Sequence, residues 1–278
     1  MAQDIDRHLV VRLAESTEEL RAAQRLRYRI FYENMGAAPS DEVAAAKRDF
    51  DRFDEFCDHL IVVDSAIADP DARIVGTYRL LPGRRAVETC GFYSDAEFDL
   101  TPLRNFPGET LELGRSCVNP DYRTKFVLQL LWQGIYGYLV DNRIDLMFGC
   151  ASIPGTDVEA AALTLSYLAH YHSAPKAWRP RANRERYIEM KRLPKKRIDM
   201  RAALRGIPPL IKGYLRLGGV IGKGAVIDGD FNTIDVCLMV ETDQVPERYR
   251  SHYAKRYDKL PDSAMDAEPM PAGDYTVS

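Results

Sequence analysis

The sequence predicts a mixed α/β fold whose sheet is antiparallel in its first half and parallel in its second half. Three strand-like segments, 60–63, 74–81 and 111–118, follow one another with only loops between them, which favours antiparallel pairing. A helical segment, 126–142, then leads into another apolar strand, 146–152, and such a crossover is typical of parallel strands. Helices are therefore expected on both faces of the sheet.

The first strand and the first helix have separate signals. Residues 8–13 alternate like a strand, and Ser16 followed by Glu19 has the spacing of a capping box, which begins a helix that runs to about Met35. The apolar positions that form the buried stripe of this helix are Leu20, Ala23, Leu26, Ile30 and Phe31. The polar and acidic segment 36–58 that follows predicts a loop.

The later elements are predicted from the residues that end or begin them. Pro120 ends the strand 111–118, and Asp157 caps a helix that continues through His170. Residues 235–240 have the apolar pattern of one more buried strand. The first part of the sheet is therefore predicted to be a meander, and the second part to contain strand–helix–strand crossovers.

The composition limits the class of protein. At 278 residues, 46% of them apolar, the chain can bury a sizeable core. It has no run of about 18 apolar residues that would span a bilayer, and its start lacks the pattern of a signal peptide, so we expect a cytosolic protein. The five cysteines are odd in number and scattered without a CxxC pair, which favours reduced thiols over a disulfide framework or a metal site.

Positive charge is concentrated in one stretch of a chain whose net charge is −3. Residues 176–205 contain 12 basic and 3 acidic side chains, a net charge of +9, and the segment 206–219 that follows is apolar with interspersed cations. Segregated charge of this kind predicts an interaction surface. Only two aromatic residues, Trp178 and Tyr187, stand among these cations, and we expect no nucleic-acid partner.

The segment 112–123, ELGRSCVNPDYR, places Glu112 and Arg115 three residues apart inside an otherwise apolar run. Because a strand repeats its facing every two residues, the two charges are expected on opposite faces, unless Gly114 marks a bulge. This segment by itself leaves two interpretations open, a structural ion pair at the end of a sheet and a functional site.

Six segments together resemble a known family. They are LRYRIFYENMG at 26–36, GTYRLLP at 76–82, ELGRSCVNPDYR at 112–123, FGCASIPGTD at 148–157, and the pair PPLIKGYLRLGG at 208–219 and DFNTIDV at 230–236. With these segments the chain resembles the GNAT-fold acyltransferases that use acyl carrier protein, and most closely the ornithine-lipid N-acyltransferases. The related acyl-homoserine-lactone synthases are similar in the first half but lack the last pair of segments.

The resemblance implies a GNAT-like acyl-CoA N-acyltransferase fold and a division of the chain. We expect an acyltransferase domain at 1–205, a C-terminal extension at 206–258 packed on it, and a disordered tail at 259–278. The implied activity moves a 3-hydroxyacyl chain from acyl carrier protein to the α-amine of L-ornithine, which gives lyso-ornithine lipid. Two alternatives stay open: acylation of another amine such as lysine, glutamine or a homoserine-type acceptor, and an inactive protein that binds the inner face of the cytoplasmic membrane.

The resemblance also implies site residues. Glu112 and Arg115 correspond to catalytic positions, and the positions that correspond to substrate binding are Arg27, Phe31, Asp51, Asp54 and Arg79. An α-amine has a pKa of about 7.7–8.0, so a single carboxylate suffices to remove its proton. We expect Glu112 to be that base. Arg115 has an alternative role as a brace for Glu112 or for Asp51 or Asp54. The acidic segment is expected to hold the side-chain ammonium of ornithine, and its alternative is a solvated acidic loop.

The donor side is expected at the end of the strand 111–118. A backbone N–H among Ser116, Cys117 and Val118 is expected to polarise the thioester carbonyl. The helix start that follows reads RTKFV, at 123–127, and lacks the glycines whose amides hold the diphosphate of coenzyme A in other GNAT enzymes.

Acyl carrier protein presents only one phosphate, on a 4'-phosphopantetheine arm, which Arg123 and Lys125 are expected to meet. The acidic carrier itself is expected to bind the basic stretch, with Lys195, Lys196 and Arg197 in contact, although an anionic membrane surface would suit the same charges. We expect no cofactor and no metal beyond this donor.

Overall fold

The computed structural model describes residues 8–257 of the 278-residue chain. The predicted tail at 259–278 lies outside this range. The strands are β1 (Leu9–Leu13), β2 (Asp58–Asp64), β3 (Ile74–Pro82), β4 (Phe98–Asp99), β5 (Glu109–Val118), β6 (Ile144–Pro154), β7 (Arg181–Ala182), β8 (Val220–Asp228) and β9 (Thr233–Glu241). The α-helices are α1 (Thr17–Tyr28), α2 (Asp41–Ala46), α3 (Gly83–Glu88), α4 (Thr101–Arg104), α5 (Lys125–Asp141), α6 (Ala162–Tyr171), α7 (Met200–Gly206), α8 (Pro209–Arg216) and α9 (Glu247–Tyr257).

The chain divides into two compact units. The first comprises the residues up to Leu81, Gly114–Arg143 and the residues from Glu247 onward, and the second comprises Pro82–Leu113 and Ile144–Pro246. The chain passes from one unit to the other inside β5. The predicted boundaries at 205 and 258 stay predictions.

In the first unit, β1, β2 and β3 pair antiparallel in that order, which confirms the antiparallel pairing predicted between the segments 60–63 and 74–81. Helix α5 packs on β1 and β2 at Gly134, where an added Cβ would lie 2.8 Å from side-chain atoms of both Leu60 and Val11. A larger residue at 134 would therefore push the helix off the sheet.

Helix α1 begins where the sequence predicts, with the Ser16 side chain accepting a hydrogen bond from the Glu19 N–H at 3.2 Å. The reciprocal half of the capping box is absent, because the Glu19 carboxylate binds Arg12 and the Glu15 N–H instead. The helix continues to Asn34 as a π-helical turn, Arg29–Asn34, so its predicted extent to about Met35 is confirmed.

In the second unit, the parallel pairing predicted for β5 and β6 is confirmed. Beyond β6 the next two pairings are antiparallel, because β8 and β9 form a hairpin whose second strand pairs antiparallel with residues 146–154 of β6. The short strand β7 then pairs in parallel with β8. The predicted parallel second half of the sheet is therefore interrupted by this hairpin. The predicted strand 235–240 lies within β9, whereas Asp157 caps a turn, and α6 begins only at Ala162.

Among residues 8–257, every helix is too short or too polar to cross a bilayer.

Candidate active site

Six charged side chains of the first unit form one group, which we call the arginine–aspartate cluster. Three are arginines from α1, β3 and β5, and three are aspartates from the loop that precedes β2. The members are Arg27, Asp49, Asp51, Asp54, Arg79 and Arg115. The structure therefore brings together five residues that the sequence names as site positions, and adds Asp49.

Arg27 lies at the centre of the cluster, and only 1% of its side chain is exposed. Its Nε donates a hydrogen bond to Asp49 Oδ2 at 2.7 Å, and its Nη1 and Nη2 donate to the two carboxylate oxygens of Asp54 at 2.9 and 2.8 Å. Bidentate pairing of this kind fixes geometry as well as charge. Arg27 thus holds the acidic loop in place, and Phe31, one helical turn further along, is buried too.

Asp54 is as fully engaged as Arg27. Besides the two bonds from Arg27, its Oδ2 accepts a hydrogen bond from the Asp51 N–H at 3.2 Å and one from Gln24 Nε2 at 3.3 Å. Burial by itself would raise the pKa of Asp54, but the charge and hydrogen bonds of Arg27, together with the charge of Arg79, hold it well below the usual range. Asp54 is therefore ionised and acts as an internal anchor of the loop.

Asp51 is the aspartate of the cluster that reaches solvent, with 24% of its side chain exposed. Its Oδ1 accepts a hydrogen bond from Arg79 Nη1 at 2.7 Å, and its Oδ2 accepts one from Arg115 Nη2 at 3.3 Å. Three carboxylates and three guanidinium groups balance one another in the cluster. The cluster as a whole therefore has no excess negative charge, and a cationic ligand would contact the exposed carboxylate of Asp51.

Arg115 has a positive φ of 53°, in the left-handed region that only a few per cent of non-glycine residues adopt. This kink breaks the strand alternation directly after Gly114 and turns the side chain toward the acidic loop. There Nε lies 3.2 Å from Asp49 Oδ2, and Nη2 binds Asp51. Arg115 thus makes the contact with Asp51 that the predicted bracing role requires, while the role itself stays a prediction. The strain marks a position that the surroundings enforce.

The last residues of β5 differ in exposure. Cys117 and Val118 are buried, and Ser116 is half-buried. Burial raises the pKa of the Cys117 thiol to about 12, so the side chain stays a neutral thiol at physiological pH. The role predicted for a backbone N–H of this segment, polarising the thioester carbonyl, stays a prediction.

Arg123 and Lys125 are both exposed, on either side of Thr124 at the start of α5. The Thr124 hydroxyl accepts a hydrogen bond from the Val127 N–H at 3.3 Å and so caps the helix. The cap occupies one of the amides that would otherwise face an anion, which leaves side-chain cations as the exposed positive groups here.

Glu112 belongs to the second unit, on the part of β5 that pairs with β6, and is 4% exposed. The Tyr93 N–H donates to its Oε2 and the Ser94 N–H donates to its Oε1, both at 2.8 Å. Two amide donors stabilise the ionised carboxylate and fix its orientation. They also make Glu112 the anchor of the turn that begins at Tyr93.

A second buried acid of this unit, Glu97, does not belong to any motif that the sequence shows. The Cys150 Sγ lies 3.2 Å from both Glu97 Oε2 and Ser94 Oγ, and Asp235 lies nearby on β9. Burial and the negative charge of Asp235 raise the pKa of Glu97 to about 7, while burial raises that of Asp235. Glu97 is therefore protonated more easily near neutral pH than an ordinary carboxyl group.

Glu97, Cys150 and Asp235 are also the residues that could hold a cation, since their ligand atoms lie within 4.8 Å of one another. A shared proton satisfies two neighbouring carboxyl groups equally well. The sequence offers one signal for this cluster, an acid at 235 inside a buried apolar strand. It offers none for Glu97, which joins the cluster through the fold.

The turn Lys195–Arg197 is exposed, as predicted for a docking surface. Lys195 Nζ lies 4.7 Å from the centroid of the Tyr171 ring, a cation–π contact that ties the turn to α6. These cations are thus held on a fixed element of the second unit.

Comparison with known proteins adds three similarities. A family model described as an acetyltransferase (GNAT) domain matches residues 26–133. The L-ornithine N(alpha)-acyltransferase of Agrobacterium fabrum is 47% identical over 255 residues, which cover 91% of this chain and 87% of that protein. The L-ornithine N(alpha)-acyltransferase of Brucella abortus is 48% identical over 255 residues, 91% of each chain.

Among solved structures, a CoA-dependent acyl-homoserine lactone synthase with SAM and isopentyl-CoA matches with a TM-score of 0.50 and 13% identity, over 91% of each chain. At that identity the likeness concerns the fold alone. Together with the domain match it confirms the predicted GNAT-like fold.

Proposed function

The chain belongs to the family of L-ornithine N(alpha)-acyltransferases, and we propose that it transfers a 3-hydroxyacyl chain from acyl carrier protein to the α-amine of L-ornithine. The proposal rests on four relatives with that name, which are 44% to 48% identical to this chain over 88% to 91% of its length. The product would be lyso-ornithine lipid.

The reaction forms one bond and breaks one. The neutral α-amine attacks the thioester carbonyl carbon, the C–N bond forms, and the C–S bond to phosphopantetheine breaks as the thiol leaves with a proton. The protein must remove a proton from the amine and stabilise the oxyanion. We assign the first task to Glu112 and the second to a backbone N–H among Ser116, Cys117 and Val118. The chain then needs no cofactor of its own.

The acceptor side is assigned to the arginine–aspartate cluster. Asp51 is its solvent-reaching carboxylate and is proposed to bind the side-chain ammonium of ornithine. Arg79 and Arg115 hold Asp51, and the buried pair of Arg27 and Asp54 positions the loop beneath it. Arg27 and Asp54 thus serve binding indirectly.

Asp51→Asn is expected to raise the KM for ornithine about tenfold with kcat within about threefold, because a charged hydrogen bond of about 1.5–3 kcal/mol becomes a neutral one. Steady-state kinetics with varied ornithine tests this. Asp54→Asn serves as the comparison, and its expected effect is a lower thermal midpoint, since it breaks the bidentate pair with Arg27. An unchanged KM in Asp51→Asn would remove Asp51 from the binding site.

The donor is assigned to acyl carrier protein on the chemistry of two places. The start of α5 presents Arg123 and Lys125 and a side-chain cap, which suits a single phosphate better than the diphosphate of coenzyme A. The exposed turn Lys195–Arg197 offers three cations to an acidic carrier.

Glu97 is a second candidate for the base, because its pKa of about 7 is closer to the operating pH than that of an ordinary carboxyl group. If it accepts the proton, kcat rises with pH through about 7, as the carboxyl group ionises.

Glu97→Gln would then remove this rise and lower kcat by about 10²–10⁴-fold. The measurement is the pH profile of kcat at saturating ornithine, with the exposed Glu185→Gln as the control. A profile in Glu97→Gln that keeps the shape and height of the wild type would leave Glu112 as the remaining candidate for the base.

The acceptor is tested directly by mass spectrometry. The full chain is incubated with 3-hydroxyacyl carrier protein and equal concentrations of ornithine, lysine, glutamine and homoserine lactone. The proposal expects acylated ornithine as the main product. A main product from another amine would contradict the acceptor, and no product from any amine would contradict the proposed activity as a whole.

A further inference from the structure

Four large apolar side chains of the second unit are exposed on or beside three neighbouring helices. They are Tyr171 at 40%, Met200 at 40%, Leu204 at 41% and Leu210 at 38% exposed. Tyr171 ends α6, Met200 and Leu204 lie on α7, and Leu210 lies on α8. We call the exposed side of α7 and α8 the apolar–basic face.

Helix α7 shows why these side chains stay exposed. Its buried side is Ala203, which is 0% exposed, and its end packs tightly, since a Cβ on Gly206 would lie 2.7 Å from Thr164 Oγ1 of α6. Met200 and Leu204 are four residues apart and therefore share one side of the helix. The core thus takes the small residue of α7 and leaves its two large apolar side chains in water.

The segment that carries this face is strongly basic. Residues 195–216 contain seven basic side chains and one acid, in a chain whose net charge is −3. The single acid, Asp199, accepts hydrogen bonds from the Arg201 and Ala202 N–H groups at 2.9 and 3.0 Å and so caps α7. Arg201 and Arg205, themselves four residues apart, lie beside the apolar pair and are exposed.

We propose that the apolar–basic face docks the protein onto an anionic lipid bilayer. Met200, Leu204 and Leu210 would enter the boundary between headgroups and acyl chains, while Arg201 and Arg205 would contact lipid phosphates. Exposed aliphatic side chains flanked by cations are the composition of helices that lie in a membrane interface. Acyl carrier protein, which is proposed to contact the neighbouring turn Lys195–Arg197, would suit the same cations, and the test below separates it from a bilayer.

The reason for docking rests on the proposed function. A product with a long acyl chain and a charged headgroup partitions into a bilayer, and an enzyme already at the surface releases it there. The docking itself is a physical property of the face and is measured without any turnover.

The test is co-sedimentation of the full chain with vesicles of mixed phosphatidylglycerol and phosphatidylcholine, compared with pure phosphatidylcholine. The wild type is expected to bind the anionic vesicles, less so at high salt. The triple variant Met200→Ser, Leu204→Ser, Leu210→Ser is expected to bind at least about tenfold more weakly, because it removes the apolar contacts. Val87→Ser with Val140→Ser, 65% and 50% exposed elsewhere, is the matched control and should bind like the wild type.

Other outcomes overturn the proposal. Absence of wild-type binding to anionic vesicles at low salt would do so. So would a triple variant that keeps its vesicle binding while losing affinity for acyl carrier protein, since the face would then be a protein-docking surface. Turnover of carrier-bound substrate without vesicles separates the two hypotheses, because the triple variant should retain it if the proposed function holds. Circular dichroism confirms that each variant is folded.

Discussion

Replacing Arg27 with methionine is expected to lower the free energy of unfolding by about 3–5 kcal/mol, because the buried carboxylates of Asp49 and Asp54 lose their main partner and keep only the longer contacts from Arg115 and Arg79. Arg27 is 1% exposed and donates to both aspartates. Urea unfolding followed by circular dichroism measures the effect. Arg104→Ala is the control, since that arginine is 37% exposed in its ion pair and is expected to contribute less than about 1 kcal/mol.

The same variant has a predicted pH dependence. The folded pKa of Asp54 lies below its unfolded value, so this stabilisation is fully present above about pH 3.9 and is lost as the pH falls further. In Arg27→Met the buried carboxyl groups that have lost Arg27 gain stability by protonation. The difference between variant and wild type should therefore shrink on acidification. A decrease of less than about 1 kcal/mol in the free energy of unfolding at neutral pH would contradict the central place of Arg27 in the cluster.

Glu112→Gln is expected to lower kcat by about 10²–10⁴-fold, because glutamine keeps the shape of the side chain and removes the proposed base. It also puts an NH₂ group where one carboxylate oxygen faced a backbone N–H of Tyr93 or Ser94, so one of two hydrogen bonds is lost. Thermal unfolding must accompany the kinetics. Glu109→Gln, on the same strand, is the control and should keep wild-type kcat.

The two interpretations of Glu112 differ in their results. A base gives a large loss of kcat in a variant whose thermal midpoint is near that of the wild type. If Glu112 only anchors the turn at Tyr93, the variant has a lower thermal midpoint and a kcat within about threefold of the wild-type value. That outcome would contradict the catalytic role of Glu112.

Local sequence signals predicted the elements well where local chemistry decides them. The Ser16 cap, the antiparallel pairing of β2 with β3 and the β5–β6 crossover follow from capping, alternation and order. The π-helical turn at Arg29–Asn34 has no such signal in the sequence. The antiparallel pairing of β9 with β6 depends likewise on a long-range choice of partner.

The candidate site divides in the same way. The acidic segment is visible in the sequence, but the pairing of its carboxylates is decided by arginines 27, 79 and 115. The fold brings these arginines together from three separate elements. The strand pattern at 112–118 predicted regular alternation and left a bulge at Gly114 open, whereas the residue with the positive φ is Arg115. Glu97 could not be found from the sequence, because its environment is supplied by Cys150 and Asp235.

A competition between two donors tests the central claim most directly. The full chain receives ornithine with equal concentrations of 3-hydroxyacyl carrier protein bearing a deuterated chain and the unlabelled 3-hydroxyacyl coenzyme A, and mass spectrometry reads the label in the product. The proposed function predicts N-acylated ornithine that carries the deuterated chain. Unlabelled acylornithine as the main product would contradict the assignment of the donor, and the absence of acylornithine would contradict the assignment of the reaction.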